Sequence, residues 1–115
     1  LDAVYRNSHY LLPGQFSLHI GGQAYGVRAA IITAWNPQSE QLSPWQNRKR
    51  QLRLVRLLDA KGYRFLRSCC GVDAWWEESL IVFAMNESAA AKRARQFGQK
   101  AFVYLDGRRV WLVYA

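Results

Sequence analysis

The chain has 115 residues, half of them apolar and 14% aromatic, which is enough for one domain spanning residues 1–115 with a core of its own. Sixteen Lys and Arg against eight Asp and Glu give a formal charge of +8, which points to an anionic partner: nucleic acid, a nucleotide or an acidic protein. No apolar run approaches the roughly 18 residues of a membrane span, and two adjacent cysteines, Cys69 and Cys70, make no disulfide framework.

No signal-peptide pattern opens the chain; Leu1, in place of an initiator methionine, suggests that a few residues precede it. Leu1 to Tyr10 mixes apolar and polar residues as a short helix or an extended arm would, and Pro13-Gly14 ends it. Gln15 to Ile20 alternates, with Phe16, Leu18 and Ile20 on one side, and reads as a half-buried strand. After Gly21-Gly22 and a loop comes Val27 to Trp35. From Ala29 to Trp35 only Thr33 is polar, the pattern of a central strand covered on both faces. Asn36-Pro37 stops it, since proline has no amide hydrogen for the ladder.

Ser43-Pro44-Trp45-Gln46 is a helix start with N-cap, first-turn proline and capping box. The helix should run to about Ala60 and close at Gly62, with Leu52, Leu54, Val55 and Leu58 toward the core. Tyr63 to Arg67 reads as a strand nearer the edge, Cys69 to Ala74 as a turn, and Trp75 to Met85 as a second apolar central strand. Asn86 or Ser88 caps a helix from Glu87 to Phe97, and Gly98 ends it. Ala101 to Leu105 and Val110 to Tyr114 form a hairpin across Asp106-Gly107.

From Val27 the order is strand, helix, strand, strand, helix, strand, then one extra hairpin strand. It matches an α+β, ferredoxin-like (split βαβ) plan, with an antiparallel sheet of about five to six strands and both helices on one face. The two apolar strands then lie antiparallel at its centre. That gathers Asn36, Ser39, Asn47, Glu77, Glu78, Ser79, Gln96 and Gln99 at one end of the sheet.

The same residues carry a resemblance. Ile32-Thr33-Ala34-Trp35-Asn36-Pro37, Ser39, Leu42-Ser43, Asn47, Trp76-Glu77-Glu78-Ser79, Phe97-Gly98-Gln99 and Ala101-Phe102, with Tyr5-Arg6-Ser8-Tyr10 ahead of them, resemble the bacterial family called domain of unknown function 3293. Cys69-Cys70 departs from the Gly-rich segment expected there. The resemblance implies a small bacterial protein without a known activity, and it supplies no catalytic residue.

Glu77 and Glu78 are the only paired carboxylates, and adjacent strand residues point to opposite faces, which argues against a two-carboxylate mechanism. A single Glu beside Trp75 or Trp76 remains as a general base or ligand acceptor. Asn36 and Ser39 suit turn and cap bonds. Asn47 needs a side-chain partner, the turn at Asn36 or a ligand, because helix interiors disfavour Asn. His9 and His19 have no metal-ligand partners, and Cys69 has no identifiable base, so neither metal, cofactor nor thiol catalysis is expected. Arg48, Lys49, Arg50, Arg53, Arg56, Lys61, Arg64 and Arg67 face one acid, Asp59, within twenty positions. Lys49, Arg53 and Arg56 recur at helical spacing and suit phosphate contact.

The reading is a binding domain of the bacterial cytoplasm for a nucleotide or nucleic acid. It would use the rim of Asn36, Ser39, Asn47, Glu77, Glu78 and Gln99 together with the Lys49/Arg53/Arg56 face. The alternatives are a small hydrolase or transferase with one Glu as base, and a protein-interaction module docking through its tryptophans.

Overall fold

The computed structural model describes residues 9–12, 16–72 and 75–115. The elements are β1 (His9–Leu12), β2 (Phe16–Leu18), β3 (Arg28–Ile32), a 3-10 turn (Pro37–Ser39), α1 (Pro44–Ala60), β4 (Phe65–Val72), β5 (Trp75–Phe83), α2 (Glu87–Gln96), β6 (Ala101–Asp106) and β7 (Val110–Tyr114). The fold is α+β. All neighbouring strands pair antiparallel in one sheet ordered β2-β1-β4-β5-β3-β6-β7.

β3 lies inside the sheet, between β5 and β6, because it can be covered on both faces. Ala29, Ala30, Ile31 and Ile32 are all buried, and strand alternation sends them to two different cores. Ala30 and Ile32 pack with Leu54, Val55 and Leu58 of α1 and Ala90 and Ala94 of α2, so both helices share one face. Ala29 and Ile31 pack with Leu18, Ala24, Ile81 and Leu105 on the other. The two apolar strands are antiparallel neighbours as the pattern requires, Ala29 opposite Phe83 through Ile32 opposite Leu80.

The start of α1 follows its sequence signals. Ser43 accepts from the Gln46 amide, the Gln46 side chain accepts from the Ser43 amide, and Pro44 takes the first turn. Its buried residues are Asn47, Gln51, Leu54, Val55 and Leu58. Leu52, expected to face the core, is 44% exposed. It lies about 100° around the helix from Gln51, and two polar residues, Asn47 and Gln51, occupy the buried stripe instead. α2 is capped by Asn86, whose Oδ1 accepts from the Ala89 amide at 2.7 Å. At the last hairpin the Asp106 carboxylate accepts from the amides of Arg108 and Arg109 and from Trp111 Nε1, each at 2.8 Å.

Three expectations about strands change. The sheet has seven strands among the described residues, more than five or six, because β1 and β2 form a hairpin along the outer side of β4. Of the short helix or extended arm expected over Leu1 to Tyr10, residues 1–8 lie outside the described residues, and His9 and Tyr10 are extended as part of β1. Cys69 and Cys70, expected to turn, continue β4 as far as Val72, paired with Glu78 and Glu77. β3 ends at Ile32 rather than Trp35, and the cause is side chains. The Ala34 amide donates to Gln51 Oε1 at 2.9 Å, and its carbonyl accepts from Arg50 Nε at 2.7 Å, so no neighbouring strand is needed. Among the described residues no helix is long and apolar enough to cross a membrane.

Candidate functional site

The segment leaving β3 makes an unusual turn. Asn36, Gln38 and Ser39 have φ of 44°, 54° and 61°, the left-handed region that costs non-glycine residues of order 1 kcal/mol or more. Asn tolerates it best; Gln and Ser need help from their surroundings. The help comes from buried amides. Asn47 Oδ1 accepts from the Asn36 amide at 2.9 Å, and Asn47 Nδ2 donates to Asn36 Oδ1 at 2.8 Å. Asn36 Oδ1 also accepts from the Leu42 amide at 2.9 Å. Gln99 Nε2 donates to the Trp35 carbonyl at 2.8 Å. Arg50 donates from Nε to the Ala34 carbonyl and from Nη2 to the Phe97 carbonyl, tying β3's exit to the end of α2. Burial, with Arg53 beside it, lowers the Arg50 guanidinium from its usual value.

Gly98 completes the lock. Its φ is +72°, and a Cβ there would meet Pro37 Cβ at 2.9 Å. The Gly98 carbonyl accepts from both the Gln38 amide and Gln38 Nε2, at 2.7 and 2.8 Å. Glycine is therefore needed here twice over, for its backbone angle and for the close approach.

The rim that the strand order implied does form around this turn. Asn36 Nδ2 donates to Glu77 Oε2 at 2.8 Å, so Asn36, Asn47 and Glu77 are in direct contact. Gln99 joins through Trp35, and Glu78 joins through its backbone, whose carbonyl accepts from Thr33 Oγ1 at 2.7 Å. Ser79 lies one residue beyond Glu78 on β5, with its Oγ 3.1 Å from Ser68 Oγ. Ser39 and Gln96 stay exposed, and Gln96 Oε1 accepts from Arg93 on its own helix. Most of the gathered amides are thus engaged in holding backbone.

Glu77 is the half-buried carboxylate and Glu78 the exposed one. Burial pushes the Glu77 carboxyl above its ordinary value, and the Asn36 donor pulls the other way. Across the ladder, burial pushes the Cys70 thiol up to about 12; the Glu77 charge adds to this and a hydrogen bond with Ser79 opposes it. That shift keeps Cys70 in its thiol form, and Cys69 is exposed. Among the described residues no group of three or more His, Cys, Asp and Glu stands ready to hold a metal.

Two hollows flank the turn. One, of about 160 Å³, lies between Trp35, Asn36, Leu42, Pro44, Asn47 and Trp76. The other, of about 200 Å³, lies under the middle of α1 against β4 and β5, with Gln51, Arg67, Glu78 and Leu80 in its wall. Gln51 and Arg50 carry much of this geometry, and the sequence reading did not single them out for it. One signal was present: Gln51 follows Asn47 by four, which puts two amides on the apolar stripe of α1.

The cations lie elsewhere. Lys49, Arg53 and Arg56 are exposed on the side of α1 away from Asn47, Leu54 and Leu58. Trp45, 62% exposed, begins the same stripe, and Lys49 Nζ sits 4.4 Å from its ring centroid. Trp45, Lys49, Arg53 and Arg56 recur at intervals of four, four and three, a row about 17 Å long on one face. The rim amides and the basic row are therefore separate features.

The model of a family described as protein of unknown function DUF3293 matches residues 32–102, from the last residue of β3 into β6. The matched stretch contains the whole turn, its amide clamp and both helices. Neither a curated protein nor a solved structure matches the chain.

Proposed function

The chain belongs to the family of proteins of unknown function DUF3293, and we propose that it is a non-enzymatic binding domain for nucleic acid, engaged through the outward face of α1. The observation that carries this reading is the row of Trp45, Lys49, Arg53 and Arg56, exposed along one side of a helix whose start is held by a capping box. Arg53 and Arg56 have no ion-pair partner among the described residues, so their charge is available to phosphates. Trp45 offers a flat surface on which a base of a single strand can stack. The formal charge of +8 would draw such a polyanion in.

In this reading the rim of Asn36, Asn47 and Gln99 shapes the turn and α1 rather than touching the strand. The order β4-β5-β3-β6, crossed by α1 and α2, supports the split βαβ, ferredoxin-like plan for the centre of a single domain, with β1, β2 and β7 as additions. Two free cysteines support a reducing setting, the bacterial cytoplasm.

The test is fluorescence anisotropy of a labelled single-stranded oligonucleotide across a salt series. Affinity should fall linearly with salt on logarithmic axes, and replacing both Arg53 and Arg56 by Ala should flatten the slope by about 1.4. Binding that ignores salt, or no binding at low salt, overturns the proposal.

A further inference from the structure

Gln51, in the wall of the hollow under α1, carries an unsatisfied donor. Gln51 is 3% exposed, and its Nε2 has no hydrogen-bond partner among the described residues. The amide cannot be turned round to relieve this. Its Oε1 already accepts from the Ala34 amide, and flipping it would set two N–H groups against each other. A buried donor left without an acceptor is costly, which marks the wall of this hollow as a place for an acceptor from outside the chain.

The surrounding groups limit what that ligand is. Glu78 and Arg67 line the same hollow and share one face of neighbouring strands, Arg67 opposite Leu80 and Cys69 opposite Glu78. Both are exposed, and neither is in an ion pair among the described residues. Thr33 Oγ1 lies 3.4 Å from Gln51 Oε1 and donates to the Glu78 carbonyl at 2.7 Å, so the amide and the Glu78 backbone meet at a single hydroxyl. Leu80 adds an apolar wall. The residues that line this hollow of about 200 Å³ carry one amide, one carboxylate and one guanidinium, around room for a single planar ring system rather than a larger ligand.

We infer that this hollow is a guanine site. Guanine presents the O6 acceptor to Gln51 Nε2 and its adjacent N1 and N2 donors to the two oxygens of Glu78, while Arg67 takes the phosphate. Adenine would turn an amine toward the Gln51 donor, and cytosine and uracil lack two adjacent donors for the carboxylate. The inference deepens the nucleic-acid reading by naming the base, yet it stands on residues other than the basic row of α1.

The experiment titrates the full chain at low salt with GMP, AMP, CMP and UMP by calorimetry, alongside a thymidine oligonucleotide with and without one central guanine. GMP should bind about tenfold tighter than the other three. Glu78→Gln should remove that preference while leaving the melting temperature unchanged. Gln51→Glu, which keeps the acceptor for Ala34 and reverses the polarity at Nε2, should abolish GMP binding. A central guanine that tightens the strand beyond GMP alone identifies the source as a strand; no further gain identifies a free nucleotide. Equal binding of all four nucleotides, no binding of GMP, or GMP binding indifferent to Glu78→Gln overturns the guanine site. If the guanine-free strand still binds with a salt slope, the basic face survives that failure. GMP binding without any strand binding removes the basic face and keeps the site.

Discussion

The amide clamp around Asn36 and the cation row on α1 are both polar, and α1 contributes to both, with Asn47 and Gln51 to the clamp and Lys49, Arg53 and Arg56 to the row. The clamp is buried, and its members bond mostly to backbone: Asn47 to Asn36 and Leu42, Gln51 to Ala34, Gln99 to Trp35. The row is exposed, and Arg53 and Arg56 bond to nothing among the described residues. A polar residue whose donors and acceptors are all matched inside the chain has its role explained by the fold. One whose charge is unmatched, or whose donor is orphaned as in Gln51, is open to a partner.

If the comparison holds, mutations in the two sets should move different measurements. The largest effect is expected at Asn47. Asn47→Leu suits a helix interior better but leaves the buried Asn36 amide without an acceptor, at a cost of about 2 kcal/mol in urea denaturation. Oligonucleotide affinity of the protein still folded should not change. The next effect runs the other way. Arg53→Ala with Arg56→Ala should weaken oligonucleotide binding about tenfold at low salt while stability stays within about 0.5 kcal/mol. A large stability loss in the second variant, or lost binding in the folded fraction of the first, would erase the distinction.

The contrast also explains what could be read from the sequence. The centre of the fold was legible because apolar runs, the capping box at Ser43 and the Asp106-Gly107 turn are local signals with local causes. The meeting of Asn36, Asn47 and Glu77 was legible one step further on, since it follows once β3 and β5 are antiparallel neighbours. The end of β3 was not. It is decided by Gln51 and Arg50 reaching across from α1 to Ala34, a contact between residues sixteen and seventeen positions apart that leaves no periodic trace. Cys69 and Cys70 were misread as a turn because β1, whose register with β4 runs through both of them, could not be recognised as a strand. Leu54, Val55 and Leu58 are buried as their spacing implied, and Leu52 alone was misplaced, because Asn47 and Gln51 share their stripe and Leu52 lies off it.

Glu77 lies between the two classes, and the smallest effect is expected there. It is half-buried, and its carboxylate is matched by Asn36 Nδ2, yet burial outweighs that bond and raises its pKa above 4.5. An acid whose pKa is higher folded than unfolded favours the fold when protonated. That contribution is complete below the unfolded value and is lost as pH rises through the folded one. Glu77→Gln keeps an oxygen for Asn36 and removes the charge, so it imitates the protonated state at every pH. The variant should melt above the parent at pH 7 to 8, and the gap should close as pH falls through the ordinary carboxylate range. A variant that melts lower at neutral pH would mean that the charged bond to Asn36 prevails over desolvation. Glu77 would then belong with the clamp as a stabilising member, rather than as a charge the fold tolerates to hold Asn36 in its left-handed turn.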